Sequence, residues 1–115
     1  MRKEDGSFID VAGINTHYYE MGAGQPLVLF HGGAFGHPTA ADSAWDWSTN
    51  FSSLAERYRV IAIDKFGQGF TDVPRCDEDY CMSAVVGHAV KTLKALELGP
   101  VHLVGHSRGG YLVCR

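Results

Sequence analysis

A serine stands at the centre of the pattern that is most able to do chemistry in this chain. Gly105-His106-Ser107-Arg108-Gly109 has the form G-x-S-x-G and directly follows the apolar run Val101–Val104. This context is typical of a nucleophile elbow, a sharp strand-to-helix turn that exposes a serine hydroxyl above a parallel sheet. The flanking glycines suit such a turn because a side chain there would collide with its neighbours, and because glycine accepts unusual backbone angles. The sequence therefore predicts Ser107 as a nucleophile.

A serine nucleophile needs a base to take its proton and donors to hold the charge that builds on the substrate oxygen. His31-Gly32-Gly33 follows a second apolar run, Leu27–Phe30. Its position predicts the backbone N–H of Gly33 as one donor, and the backbone N–H of Arg108 is the other. One such donor typically lowers the activation free energy by roughly 3–4 kcal/mol. Gly33 and Arg108 are thus the predicted oxyanion hole, and the Arg108 guanidinium is interpreted as solvated.

Four patterns follow one another in a fixed order: His31-Gly32-Gly33, the stretch from Asp64 to Gly69, the elbow, and Gly110 behind it. With these patterns the chain resembles the α/β-hydrolase family over essentially its whole length. Within that family it is most similar to the carbon–carbon bond hydrolases that act on ring-cleavage products of aromatic degradation. The finer resemblance rests on His31–Gly36, Trp45, Trp47, Asn50, Arg59–Asp64 and Gly67–Pro74. His106 departs from that subfamily, which often has asparagine at this position.

The resemblance implies a catalytic triad in the order serine, acid, histidine. Every histidine here precedes or adjoins Ser107, so the acid and the base are expected after Arg115. Residues 1–115 are then the N-terminal part of a single α/β-hydrolase domain in a parent enzyme of roughly 250 to 300 residues. Without its base such a triad loses on the order of 10^6 in turnover, so the chain alone is expected to be inactive. His31 is implied to support the oxyanion loop rather than to act as the base.

Other polar and aromatic residues are given structural interpretations. Asp64 is interpreted as fixing the turn before Gly67 and Gly69 rather than as the triad acid, because aspartate favours such turns. Four histidines lack partners at metal-ligand spacing and are interpreted as structural or surface residues: His17, His37, His88 and His102. His106 is expected to line the pocket or pack. The aromatic residues Phe35, Trp45 and Trp47 could either line a substrate pocket or pack in the core, and Trp47 is favoured as a core residue. Asn50 could bind a substrate oxygen, but a position on the helix surface is favoured.

The elements that must position these residues alternate between strand and helix patterns. Two strands joined at Ala12-Gly13 predict a hairpin, and three continuous apolar runs predict buried strands: Phe8–Val11, Ile14–Met21, Leu27–Phe30, Val60–Ile63 and Val101–Val104. Helical spacing predicts one helix through Trp47, Phe51, Leu54, Ala55 and Tyr58, and a second from Tyr80 to Leu98. The predicted fold class is α/β: a hairpin and then a mostly parallel sheet flanked by helices, ending after the elbow. Without further strands beside Val101–Val104 the apolar edge would favour association.

Composition limits the remaining functions. The 115 residues are 45% hydrophobic and 20% charged with a net charge of −3, which is typical of one globular domain and gives no basic face for nucleic acid. No signal peptide or membrane-spanning run is seen, and three cysteines without a C-x-x-C pair favour a reducing cytoplasm. We expect a small-molecule substrate, neither nucleic acid nor membrane as a partner, and no metal or organic cofactor. The oligomeric state of the parent stays open, a homo-oligomer included.

These observations lead to one preferred function and three rivals. The preferred one is a serine hydrolase that cleaves a carbon–carbon bond in a ring-cleavage diketone, a substrate that the resemblance alone implies. The first rival is a carboxylesterase or lactonase with the same site. The second is a non-catalytic binding protein or receptor on this fold, and the third is a short product with only a structural or interaction role. Serine at the elbow argues against the dehalogenase and epoxide hydrolase relatives, which use aspartate there.

Overall fold

The computed structural model describes residues 6–32, 43–66, 68–72, 82–106 and 108–114. Over these residues the chain forms five strands, one 3₁₀ helix and three α-helices. In chain order they are β1 (Ser7–Val11), β2 (Ile14–Met21), β3 (Pro26–Phe30), the 3₁₀ helix (Ala44–Trp47), α1 (Phe51–Ala55), β4 (Arg59–Ile63), α2 (Met82–Ala95), β5 (His102–Gly105) and α3 (Arg108–Val113). Within the described ranges, no helix combines the length and apolar character needed to cross a membrane.

The hairpin predicted at the start of the chain is present. β1 and β2 pair antiparallel, with Val11 opposite Ile14 at the turn. The two turn residues have φ values of 52° at Ala12 and 87° at Gly13. Two-residue hairpins favour positive φ at both turn positions because the turn then follows the twist of the strands. Glycine accepts this region at no cost, whereas Ala12 occupies it against the preference of its own side chain.

The strands form one mixed sheet in the order β1-β2-β4-β3-β5. β2 pairs antiparallel with β4, and β3 lies between β4 and β5, parallel to both. A hairpin followed by three parallel strands with helices alongside confirms the predicted fold class. The predicted limits of β3 and β4 are each within one residue of the observed ones.

Two hydrophobic cores lie on opposite faces of the sheet. Leu27 and Leu29 of β3 pack with residues of the 3₁₀ helix and α1. The alternate residues Val28 and Phe30 pack with residues of α2 and α3. Because successive side chains of a strand point to opposite faces, a strand covered on both sides must be apolar at every position. The continuous apolar runs in the sequence are the direct result.

Only one of the two predicted helices is continuous. The helix expected from Tyr80 to Leu98 is observed as α2, while its predicted first residues lie outside the described residues. The helix expected through Trp47 and Tyr58 is wrong as a single element, because it is divided into the 3₁₀ helix and α1. Asn50 interrupts it with φ −117° and ψ 1°. The five residues predicted to share one face nevertheless pack in the same core.

The exposed apolar edge predicted at the last strand is present. β5 forms one edge of the sheet, and Leu103 and Val104 are 39% and 40% exposed. β5 is hydrogen-bonded to β3 on one side, and no other described strand pairs with its outer side. An apolar strand without a neighbour on one side keeps part of its surface in solvent, whereas its apolar run alone indicates a strand covered by neighbours on both sides.

Candidate active site

Three loops that carry the chemical motifs begin at the same edge of the sheet. Phe30, the last residue of β3, lies opposite Ile63 of β4 and opposite Gly105 of β5. His31, Asp64 and His106, the residues that follow each strand, therefore start side by side. In open α/β sheets the crevice outside the carboxyl ends of the strands is where ligands bind. The pairing of the strands thus brings together His31 and His106, the described residues that precede the predicted oxyanion loop and the predicted nucleophile in the chain.

The elbow packs so tightly that two positions have no room for a side chain. A Cβ built on Gly105 would lie 2.2 Å from the carbonyl oxygen of Gly109, and one on Gly109 would lie 2.2 Å from that of Phe30. The collision expected from the sequence is thus confirmed. Neither glycine is among the described residues with positive φ, so unusual backbone angles are not the reason for glycine here. The spacing of the motif reflects close packing of β5, α3 and the end of β3.

Two hydrogen bonds fix the turn between β5 and α3. The His106 N–H donates to the Phe30 carbonyl at 3.1 Å, and the Gly109 N–H donates to the His106 carbonyl at 2.9 Å. Arg108 is the first residue of α3, so its N–H belongs to the helical amides that have no partner within the helix. Ser107 and Gly33 lie outside the described residues. The roles of Ser107, Gly33 and Arg108 stay predictions.

His31 is fully buried, and both of its ring nitrogens have partners. Nδ1 bonds to the Gly32 carbonyl at 2.8 Å, and Nε2 accepts the Lys65 N–H at 3.1 Å. A nitrogen that accepts a backbone N–H carries no proton, so Nδ1 is the donor and the imidazole is neutral. Since its accepting nitrogen is already used, His31 is unsuited to remove a proton from a serine. This geometry agrees with a role in supporting the loop.

Asp64 is the centre of a buried polar cluster with His17 and Thr71, which we call the Asp64 cluster. Its Oδ2 accepts the Phe70 N–H at 3.1 Å and lies 2.8 Å from His17 Nδ1, and its Oδ1 accepts the Ala44 N–H at 2.7 Å. The Thr71 hydroxyl donates to the Asp64 carbonyl at 2.7 Å and accepts the His17 N–H. Both carboxylate oxygens hold neighbouring segments, which supports the turn-fixing interpretation over a triad acid.

Gly69 shows how closely the turn is built around the carboxylate. This residue has φ 57°, and a Cβ on it would lie 2.3 Å from the Asp64 Cγ. The glycine at this position is required both by its backbone angle and by the space that the carboxyl group occupies. The motif spacing between Asp64 and Gly69 is thus a consequence of one side chain folding back against its own loop.

A second buried polar cluster, the His88 cluster, consists of Thr16, His88 and Thr92. His88 Nε2 lies 2.8 Å from Thr16 Oγ1 and 3.4 Å from Thr92 Oγ1. Both hydroxyls donate to backbone carbonyls, so Nε2 must be the donor. Burial and, second, the nearby Lys91 charge lower the pKa of His88 to about 4. His88 stacks on Phe66 with ring centroids 5.2 Å apart.

The structure sorts the remaining histidines and aromatic residues. His17 is buried with His88, so the open choice between structural and surface positions is decided as structural for both. The side chains of His102, His106 and Asn50 are exposed. Asn50 is on the surface as favoured from the sequence, but it precedes α1 instead of lying within a helix. The exposed His106 side chain is not packed in the core, and its lining of a pocket stays a prediction. Trp47 packs against the core beside α1, as favoured from the sequence. Nothing is described of His37, Phe35 or the Trp45 side chain.

The fold and the elbow at the carboxyl edge define the class, and a family comparison agrees with it. Residues 25–115 match the family model of the alpha/beta hydrolase fold. The chain belongs to this family.

Within the family, similar curated proteins are named as hydrolases of unsaturated hydroxy-oxo acids or semialdehydes. The chain is 39% identical to 2-hydroxy-6-oxo-6-(2'-aminophenyl)hexa-2,4-dienoic acid hydrolase of Metapseudomonas resinovorans, over 90% of this chain and 34% of that protein. It is 41% identical to 2-hydroxymuconate semialdehyde hydrolase of a Pseudomonas species, over 93% of this chain and 36% of that one. The chain therefore spans about a third of the length of these relatives.

Solved structures give the same grouping. A serine hydrolase involved in carbazole degradation superposes with a TM-score of 0.84 at 34% identity, over 94% of this chain and 40% of that one. A meta-cleavage product hydrolase of Pseudomonas fluorescens, solved as a serine-to-alanine mutant, gives 0.83 at 38% identity over 97% and 39%. An epoxide hydrolase of Vigna radiata gives 0.80 at 27% identity. The similarity to the carbon–carbon bond hydrolases that the sequence indicated is confirmed.

Proposed function

We propose that this chain supplies the nucleophile and the oxyanion hole of a serine hydrolase that cleaves a carbon–carbon bond in a ring-cleavage diketone. Ser107 is the nucleophile, and the backbone N–H groups of Gly33 and Arg108 hold the oxyanion. The acid and the base of the triad belong to the part of the enzyme that follows residue 115, as the family order requires. The active protein has the length of the relatives.

The observation that carries the proposal is the close packing at the elbow. Gly105 and Gly109 leave no space for a Cβ. β5 ends at Gly105 and α3 begins at Arg108, so only positions 106 and 107 separate the strand from the helix. A serine placed there is the expected nucleophile of this fold. The choice of substrate class is supported by the hydroxy-oxo-dienoic acid and hydroxymuconate semialdehyde hydrolases, at 39–41% identity, and by the similar structure named as a meta-cleavage product hydrolase.

The chemistry follows from these positions. Ser107 Oγ, relieved of its proton by the histidine of the triad, attacks the substrate carbonyl, or the same pair activates a water molecule to do so. The Gly33 and Arg108 N–H groups stabilise the negative charge on the carbonyl oxygen. Overall one water molecule is consumed: its oxygen ends in the carboxylic acid product, and the leaving carbon takes up a proton to give a hydroxydienoate.

A carboxylesterase or lactonase would use the same nucleophile and the same donors, and it differs only in the group that leaves. A panel of ring-cleavage diketones and simple esters, offered to the protein at the length of its relatives, separates the two. We expect kcat/KM at least about tenfold higher for the best diketone than for the best ester, a difference in barrier of about 1.4 kcal/mol. Higher kcat/KM for the esters would contradict the substrate proposal and leave the serine mechanism intact.

Covalent labelling tests the nucleophile itself. A fluorophosphonate probe should label the full-length protein, and Ser107→Ala should abolish both labelling and turnover. Ser53→Ala, at an exposed serine of α1, is the matched control and should change neither. Folded full-length protein that takes up no probe would instead favour a non-catalytic binding role.

A further inference from the structure

Described residues before and after Gly33 are bonded to one loop, the β4 turn, defined by residues 64–66 and 68–72. Before Gly33, His31 Nε2 accepts the Lys65 N–H at 3.1 Å, and the Gln68 side-chain amide lies 3.5 Å from the Gly32 carbonyl. After it, the Ala44 N–H donates to Asp64 Oδ1 at 2.7 Å. The two attachments come from the same few residues after β4.

The two oxygens of the Asp64 carboxylate have different tasks. Oδ2 holds the β4 turn against β2, because its donors are the Phe70 N–H in the turn and His17 Nδ1 on β2. Oδ1 accepts the Ala44 N–H, twenty residues earlier in the chain. Fixing the β4 turn against the sheet uses Oδ2 alone. The bond from Ala44 therefore requires a second explanation.

Asp64 is itself held rigidly. Its N–H donates to the His17 carbonyl at 3.0 Å, its carbonyl accepts the Thr71 hydroxyl, and its side chain is buried. A hydrogen bond to a carboxylate in such surroundings is shorter and stronger than one between neutral groups. Through its bond to Asp64, Ala44 is held in a fixed position relative to the central strands of the sheet.

We propose that Asp64 is a positioning residue for the predicted oxyanion donor, because its Oδ1 fixes Ala44 while the same turn holds His31 and Gly32 on the other side of Gly33. The catalytic part of this inference rests on the proposed function, whereas the attachment of Ala44 does not. Oxyanion donors act only within hydrogen-bond distance of the reacting oxygen, and an error of about 1 Å can cost on the order of 10²-fold in rate.

Asp64→Asn separates the two tasks. The remaining oxygen of the amide can keep the donors of Oδ2, and the NH₂ group then faces the Ala44 N–H, which loses its acceptor. We expect the Ala44 amide of this chain to exchange with deuterium roughly tenfold to a hundredfold faster, while Phe70 changes far less. Asp72→Asn is the matched control, because Asp72 accepts Asn15 N–H in the same turn and does not touch Ala44.

In the full-length enzyme, Asp64→Asn should lower kcat roughly tenfold to a hundredfold and leave KM within about twofold. Asp72→Asn should change neither. A folded Asp64→Asn variant with unchanged Ala44 exchange overturns the proposal, and so does faster Ala44 exchange with unchanged kcat. If Ser107→Ala leaves activity unchanged but Asp64→Asn still speeds deuterium exchange at the Ala44 amide, the proposed function fails while the attachment of Ala44 stands.

If the Asp64→Asn variant does not fold, a measurement on the wild-type chain still tests the proposal. There the Ala44 amide should be protected at least about tenfold relative to an unstructured peptide. Weaker protection would overturn the proposal without any substitution.

Discussion

Thr16 and His17 are neighbours on β2 and both are fully buried, yet they belong to polar clusters of opposite character. Thr16 faces α2 and joins the His88 cluster, and His17 faces the β4 turn and joins the Asp64 cluster. The Asp64 cluster is built on a carboxylate that collects N–H donors from several segments. The His88 cluster is built on a neutral imidazole and two hydroxyls.

The difference shows what each chemistry is suited to join. A carboxylate accepts several hydrogen bonds at once, so it can gather loops that have no regular partners of their own. A neutral imidazole between threonine hydroxyls pairs its N–H and both hydroxyls without placing a charge beneath a helix. The charged cluster therefore lies at the candidate active site, and the neutral cluster secures α2 to the sheet.

Breaking the Asp64 cluster should have the largest effect. Gly69→Ala places a methyl group where the Asp64 carboxyl stands and forces alanine into positive φ, so we expect a loss of about 3 kcal/mol or more in the free energy of unfolding. Urea unfolding followed by tryptophan fluorescence measures it. Gly87→Ala in α2 is the control beside the His88 cluster: its built Cβ meets nothing within 4 Å, so it should stabilise the chain by about 0.5–1 kcal/mol. Equal effects at the two sites would contradict the comparison.

Acid should act on the His88 cluster next. The pKa of His88 is lowered to about 4 in the folded chain, from 6.5 in the unfolded one. Only the unfolded chain binds this proton between these values, so stability falls as the pH drops from about 6.5 to 4, by about 3 kcal/mol in all. His88→Gln, which keeps a donor near Nε2, should remove this part of the pH dependence. The measurement is the urea midpoint at pH 7 and pH 4.5 in both chains, and identical pH dependence would refute the prediction.

The smallest change sharpens the comparison at a single hydroxyl. Thr16→Val keeps the shape of the side chain but removes the acceptor of His88 Nε2, leaving only the longer contact to Thr92. We expect a loss of about 1–2 kcal/mol, the usual effect of an unsatisfied buried donor. Thermal unfolding at pH 7 measures it. Asn15→Ala, on the same strand but exposed, should lower the free energy of unfolding clearly less. A similar loss would mean that the effect comes from disturbing the strand and not from the lost bond to His88.

Much of the fold could be predicted because its signals are local. The apolar runs of β3 and β4 and the stripe of α2 reveal themselves within a few residues. The helix around Trp47 was not resolved correctly because Ser48-Thr49-Asn50 favour turns over helix interiors, and a pattern of apolar positions does not register that preference. The apolar run of β5 alone indicates burial, and its exposed edge could be predicted only by considering which strands lie beside it, which its own residues do not encode.

The candidate site shows the same division. The glycines of the elbow could be predicted because their steric demand is written into a five-residue motif. The attachments made by Asp64 could not, since His17 and Ala44 lie 47 and 20 residues away along the chain. No spacing rule links residues so far apart, and aspartate followed by glycines is common in ordinary turns.

The alternation of Thr16 and His17 has a consequence for how β2 finds its alignment during folding. Sliding the strand by one residue against β4 would turn the imidazole toward α2 and present the hydroxyl to the carboxylate. Two buried polar groups would then meet the wrong partners at the same moment. Thr16 and His17 therefore specify the alignment of β2. Apolar residues alone would define it less strictly, because they are interchangeable between the two cores.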